Sequence, residues 1–134
     1  VLMMMFAKQA AKYFDNAEII ELHHNQKKDA PSGTAIKTAA MMAEVKDDFA
    51  KNNCPETETI EGARGGNSYS NIHIHSVRMP GYIASQEVIF GSSGQIMTIR
   101  HDSMDRKCYM QGVLLAVKHV SEKNDFVYGL DNIL

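Results

Sequence analysis

The densest set of chemically able side chains in this sequence is the stretch Glu21-Leu22-His23-His24-Asn25-Gln26-Lys27-Lys28-Asp29-Ala30-Pro31-Ser32-Gly33-Thr34-Ala35. Histidine carries or releases a proton near neutral pH, and lysine offers a mobile cation. Both types stand where an isoleucine-rich strand runs out into a polar loop, the place where folds open clefts. Ser32-Gly33-Thr34 then begins a helix. The unpaired N–H groups of a first helical turn, with a hydroxyl beside them, make a seat for a carboxylate or phosphate, and Lys27 and Lys28 add positive charge next to it. On residue types alone the segment suits a small anionic substrate with a proton donor at hand. The plain alternative is a solvated His/Lys loop followed by an ordinary helix start.

Other clusters carry weaker signals. His73 and His75 lie two apart in a strand, hence on one face, and with His101 could approach a metal; solvated or core-satisfied rings are the reading we adopt, because a complete zinc site needs three or four protein ligands. Arg64-Gly65-Gly66 could hold an anion, with a flexible surface loop as the better reading. Met3-Met4-Met5 and Met41-Met42 read as core filler. Cys54 and Cys108, far apart and outside any C-x-x-C spacing, read as free thiols in a reducing compartment, with a disulfide as the alternative.

The elements that must position these groups follow from periodicity. A helix is expected over residues 2–14, a strand over 17–22, and a second helix from 33 to 50 with Ser32 or Thr34 as cap. Residues 51–70 read as loop, and strands are expected at 71–78, 85–90 and 95–101. Their alternating apolar positions include Ile72, Ile74, Val88, Phe90, Ile96 and Thr98. A last helix over 105–122 carries Met110, Val113, Leu114, Val117 and Val120 on one stripe, and a mixed tail runs to Leu134. This order implies an α+β fold, a small mixed β-sheet covered by helices. The 134 residues, 44% hydrophobic, suffice for one core. The net charge of −2 and pI near 6.3 point away from nucleic acid and membrane surfaces, and no segment has the length of a membrane span. The first helix has no capping residue ahead of it, so a missing upstream segment is expected.

Glu21 to Ala35 resembles, almost residue for residue, the signature E-x-H-H-x-x-K-x-D-A-P-S-G-T-A of 4-hydroxy-tetrahydrodipicolinate reductases, long called dihydrodipicolinate reductases. His75-Ser76-Val77-Arg78-Met79-Pro80-Gly81, Glu87-Val88-Ile89-Phe90-Gly91 and Tyr128-Gly129-Leu130 are similar to further segments of that family, so the likeness covers essentially the whole chain. The resemblance implies a cytoplasmic, NADPH- or NADH-dependent oxidoreductase of diaminopimelate and lysine biosynthesis. By position it implies catalytic roles for His23 (acid–base) and Lys27 (proton donor). It implies that His24, Ser32, Gly33 and Thr34 bind a small dicarboxylate substrate, and that the assembly is a homotetramer. It leaves Lys28 to solvent.

The family's Rossmann-type domain is not represented, since no G-x-G-x-x-G occurs here. Residues 1–106 are then expected to form the substrate-binding and oligomerisation domain. Residues 107–134 are expected to be a helix and tail that return to the nucleotide-binding domain near Arg106. Without that domain the final helix's stripe is expected to repack on residues 2–14 or on another copy. The rival reading is a non-catalytic anion-binding or oligomerisation module that keeps the reductase fold.

Overall fold

The computed structural model describes residues 1–50 and 54–134. Three helices, α1 (Leu2–Ala11), α2 (Gly33–Ala43) and α3 (Met110–Glu122), accompany five strands: β1 (Asn16–His23), β2 (Gly66–Asn67), β3 (His73–Arg78), β4 (Ala84–Ser92) and β5 (Gln95–Ser103). The sheet order is β2-β3-β1-β4-β5. β1 runs parallel to β3 and antiparallel to β4, so the sheet is mixed as expected.

One face of the sheet forms the core. Ala17, Ile19, Ile74, Val88 and Phe90 point to it, and α1 and α2 cover it with Ala7, Ala11, Ala35, Ala39 and Met42. Alanines at these helical positions let the helix backbones approach closely, and dispersion contacts accumulate at short range. Phe14 closes one end, its ring 5.4 Å from that of Phe90.

Tertiary contacts shorten both early helices relative to their periodicity. α1 ends at Ala11, and Tyr13 and Phe14 lie beyond it. α2 ends at Ala43 rather than at residue 50. Phe49 is buried, its amide donates to Ser70 O, and the amide of Ala50 donates to Asp15 O. These bonds hold the chain after Glu44 against the sheet edge, where a continuing helix would carry it away. The final helix starts as a 3-10 turn at Arg106–Tyr109, capped by Asp105, whose carboxylate accepts from the Lys107 amide, before α3 proper begins. Of the expected loop 51–70, residues 51–53 lie outside the described residues, and the remainder contains the two-residue strand β2.

In β5 the apolar positions divide between two faces. Phe90 pairs with Met97 and Val88 with Ile99, so Met97 and Ile99 pack on the core, while Ile96 and Thr98 point to the opposite face. That face carries Ile20, Val77, Ile89 and Ile96 between polar groups, and no helix among the described residues covers Ile96, which is 78% exposed.

The expected repacking of the last helix onto residues 2–14 does not occur. Met110, Val113, Leu114, Val117 and Val120 are all exposed. α1 has already committed its Met4, Ala7 and Ala11 face to the core, and its Leu2, Met5 and Phe6 are exposed as well. The tail is nevertheless tied back, with Lys37 Nζ of α2 2.8 Å from Asp131 Oδ1. No helix among the described residues is long and apolar enough to cross a membrane.

Candidate functional site

β1 alternates, so Glu21 and His23 share the helix-covered side of the sheet. There Glu21 is fully buried, which is costly for a carboxylate unless every oxygen is paired. The pairing is complete. Arg78 of β3 donates Nη1–H to Oε2 at 2.9 Å and Nη2–H to Oε1 at 2.7 Å. The Ser32 amide donates to Oε1 at 3.2 Å, and His23 Nδ1 lies 2.5 Å from Oε2. Burial pushes the Glu21 carboxyl up, but hydrogen bonds from Arg78, Ser76 and His23 outweigh it and hold the group below the usual carboxylate range. Glu21 is therefore ionised and accepts only.

Arg78 does a second task. Its Nη2–H also donates to Asp29 O at 2.7 Å, which fastens the 24–32 loop to β3. Within that loop the Lys27 amide donates to His24 O, closing a turn. Lys27 Nζ sits 2.7 Å from both carboxylate oxygens of Asp29, and its hydrogen bond holds the Asp29 carboxyl below its ordinary range. The Ala30–Pro31 peptide is cis, and Ser32 follows as the cap of α2, its Oγ accepting from the Ala35 amide at 3.2 Å. The Ile36 amide takes Ser32 O. The amides of Gly33 and Thr34 are then the first-turn N–H groups that no helical carbonyl reaches. Space is open around Gly33, where an added Cβ would meet nothing within 4 Å.

The sequence-expected residues thus fall on one loop and its two flanking element ends. His23 ends β1, His24 and Lys27 form the turn, and Ser32, Gly33 and Thr34 open α2. One carboxylate, Glu21, ties the first of these groups to the last. Sequence reading gave no role to Glu21 or Arg78. The available signal was a carboxylate two residues before His23 in an isoleucine-rich strand, on the histidine's own face.

The other clusters find structural partners. Arg64 pairs with Glu18 of β1 at 2.6 Å and with Glu56 at 3.3 Å, so its guanidinium is already engaged by carboxylates. His75 Nε2 lies 2.7 Å from Glu18 Oε2, and His73 Nδ1 lies 2.7 Å from Arg64 O. Among the described residues no group of three or more His, Cys, Asp or Glu is placed to hold a metal. Cys54 and Cys108 are free and exposed. A polar cavity of about 480 Å³ lies on this side, lined among others by Glu18, Arg64, Asn67 and His73. It does not include the 23–34 segment, and size alone does not outweigh the convergence of groups at Glu21.

A dinucleotide has no evident seat on these residues. Dinucleotide-binding units place a glycine-rich turn between a parallel strand and the following helix. Here that connection is residues 24–32, which has no glycine and holds the Lys27–Asp29 pair.

Fold and site together define a class: an α+β domain whose central strand delivers a carboxylate-held histidine to a helix N-terminus. The chain belongs to the dihydrodipicolinate reductase family, since the model described as "Dihydrodipicolinate reductase, C-terminus" matches residues 1–134. It is 60% identical over its whole length to 4-hydroxy-tetrahydrodipicolinate reductase of Gloeothece citriformis (strain PCC 7424), covering 49% of that protein. It is also 60% identical to the protein of that name from Listeria innocua serovar 6a (strain ATCC BAA-680 / CLIP 11262), covering 51% of it. Among solved structures, a dipicolinate-bound dihydrodipicolinate reductase from Paenisporosarcina sp. TG-14 superposes with a TM-score of 0.89 at 55% identity, over 99% of this chain and 50% of that one. The chain spans about half the length of the curated relatives it matches.

Proposed function

We propose that this chain is the substrate-binding part of an NADPH- or NADH-dependent reductase that converts 4-hydroxy-tetrahydrodipicolinate to tetrahydrodipicolinate in the cytoplasm, within diaminopimelate and lysine biosynthesis. The observation that carries the reading is the single Glu21 carboxylate joined both to His23 and to the Ser32 amide at the head of α2. It couples a proton-handling ring to an anion seat, in a chain 60% identical to proteins named for this activity. A module that only bound anions would gain nothing from an imidazole held this way.

In this reading the amides of Gly33 and Thr34, the Thr34 hydroxyl and Ser32 hold one substrate carboxylate at the positive end of α2. His24 contacts the ring, His23 serves acid–base chemistry, and Lys27 supplies the proton after release from Asp29. A developing negative charge is stabilised by such a cation and quenched by such an acid. Hydride comes from a nicotinamide held outside this chain. Residues 1–106 form the substrate and oligomerisation domain, and residues 107–134 return to the nucleotide-binding half, which would cover the α3 stripe. The uncovered sheet face with Ile20, Val77, Ile89 and Ile96 meets other copies in a homotetramer. Support for a dicarboxylate ligand comes from the dipicolinate-bound Paenisporosarcina structure.

The test is an assay of the complete protein with 4-hydroxy-tetrahydrodipicolinate and NADPH or NADH. Cofactor oxidation that depends on this substrate and is inhibited by pyridine-2,6-dicarboxylate is expected. A folded, complete protein without such turnover would overturn the reading.

A further inference from the structure

A buried, ionised carboxylate beside a histidine settles which ring nitrogen can carry the proton. Glu21 has no hydrogen to donate, so a bond to His23 Nδ1 at 2.5 Å requires Nδ1–H. The carboxylate cannot turn away to relieve this demand. The two Arg78 bonds hold both of its oxygens from one side, and the Ser32 amide holds Oε1 from another. The ring is itself mostly enclosed, its side chain only 16% exposed, on a strand end whose His23 carbonyl is held by the Met79 amide. The nitrogen left over is Nε2, on the far side of the ring from Glu21.

Resting on the reductase reading above, we infer that Glu21 is a positioning residue for His23: it fixes the Nδ1–H tautomer and leaves Nε2 as the nitrogen that exchanges protons with substrate, while Arg78 holds Glu21 in place. The logic is that of an orienting carboxylate behind a catalytic imidazole. Such a group sets tautomer and ring direction and stabilises the protonated ring without touching substrate. It also explains why a charge is buried in the core at all. An aliphatic residue at position 21 would suit the strand's Ile19 and Leu22 but would leave the ring free to adopt either tautomer.

The same carboxylate gives the arrangement a second consequence. Because the Ser32 amide shares Oε1, the distance between the proton-handling ring and the head of α2 is set through one rigid group. A substrate carboxylate bound at Gly33 and Thr34 is thereby placed relative to His23.

The test uses the complete protein with ¹⁵N-labelled histidine. The imidazole nitrogen shifts of His23, assigned by difference against His23→Asn, report the tautomer of the neutral ring directly. The expected result is a dominant Nδ1–H form in the wild type. Glu21→Gln is nearly isosteric and keeps an acceptor for Arg78, but its amide can either donate or accept, so the variant should show a mixture of tautomers. Turnover should fall by about 10²–10⁴-fold, the range for a lost acid–base group, with KM changed far less. A wild-type ring in the Nε2–H form overturns the inference whether or not any variant folds. So does a Glu21→Gln protein with unchanged tautomer and turnover. The tautomer is read without substrate, so a complete protein that lacks reductase activity would sink the functional reading and leave this result standing or falling on its own.

Discussion

Arg78 stands directly across from His23 in the parallel β1–β3 register, yet its guanidinium reaches diagonally back to Glu21 and grips both carboxylate oxygens, at 2.7 and 2.9 Å. A straight cross-strand pairing would have brought two potentially cationic groups together. The diagonal places an anion between them instead, so that the carboxylate serves ring and guanidinium at once. The ion pair also lies where β1 runs out into the site loop, and through Asp29 O it holds that loop down.

Removing Arg78 should therefore cost stability as well as function. Arg78→Ala leaves a buried carboxylate without its main partner, a change worth about 3–5 kcal/mol for buried pairs. Urea unfolding followed by circular dichroism should show the midpoint falling accordingly. A loss under 1 kcal/mol would mean that water replaces the guanidinium freely and that the pair is not a structural anchor.

Acid should act on the same point. Glu21 has a folded-state pKa below its ordinary 4.5, so the unfolded chain binds the proton more readily. The stabilisation is then present above about pH 4.5 and is lost as pH falls through the lower folded value. Unfolding free energy measured from pH 6 downward should decline below that point. Glu21→Gln, lacking the group, should show a shallower decline, and parallel curves for the two proteins would contradict the assignment.

Lys27 offers a cleaner functional probe, because among the described residues its ammonium is hydrogen-bonded to the exposed Asp29 carboxylate. In the complete protein Lys27→Ala should lower kcat by at least about 10²-fold, as for a lost general acid. Its circular dichroism spectrum and melting should remain those of the wild type. Undiminished turnover would remove Lys27 from the mechanism.

Gly33 and Gly65 should respond in opposite ways to a side chain. Nothing lies within 4 Å of a Cβ at Gly33, so Gly33→Val should fold. Calorimetry should then show weakened binding of pyridine-2,6-dicarboxylate, because the new side chain enters the space the ligand needs; undiminished binding would put the seat elsewhere. At Gly65, φ is +70° and a Cβ would come 2.6 Å from Ile74 O. Gly65→Ala should be destabilised by at least the ~1–2 kcal/mol of a left-handed L-residue, measured by urea unfolding, without reaching the site residues.

The uncovered sheet face is expected to hold copies together. Sedimentation velocity of the complete protein should show an assembly larger than a monomer at micromolar concentration. Ile96→Glu should shift it toward smaller species, since burying an unpaired charge between sheets is unfavourable. A wild-type monomer would rule out this use of the face.

Chemistry-bearing residues and their order were legible in the sequence, because motif, cap and strand end are local properties: Ser32 caps α2 and His23 ends β1. Strand existence was equally legible, since a period of two survives in the sequence of β3 and β4. What local pattern cannot encode is which neighbour wins a residue when two claims compete. Phe49 belongs to a helical stripe by spacing, but a core pocket and the amide bonds of residues 49 and 50 stop α2 six residues before it. Ile96 and Thr98 alternate like core positions, yet pairing with β4 puts Met97 and Ile99 inside and turns the other two outward. Glu21 and Arg78 are 57 residues apart, and nothing local marks them as partners. Only the parallel pairing of β1 with β3 brings them within hydrogen-bonding reach, and burial then makes that bond obligatory. The exposed residues of the candidate site are thus carried by local pattern, while the placement of the buried Glu21 carboxylate against Arg78 was decided by the sheet.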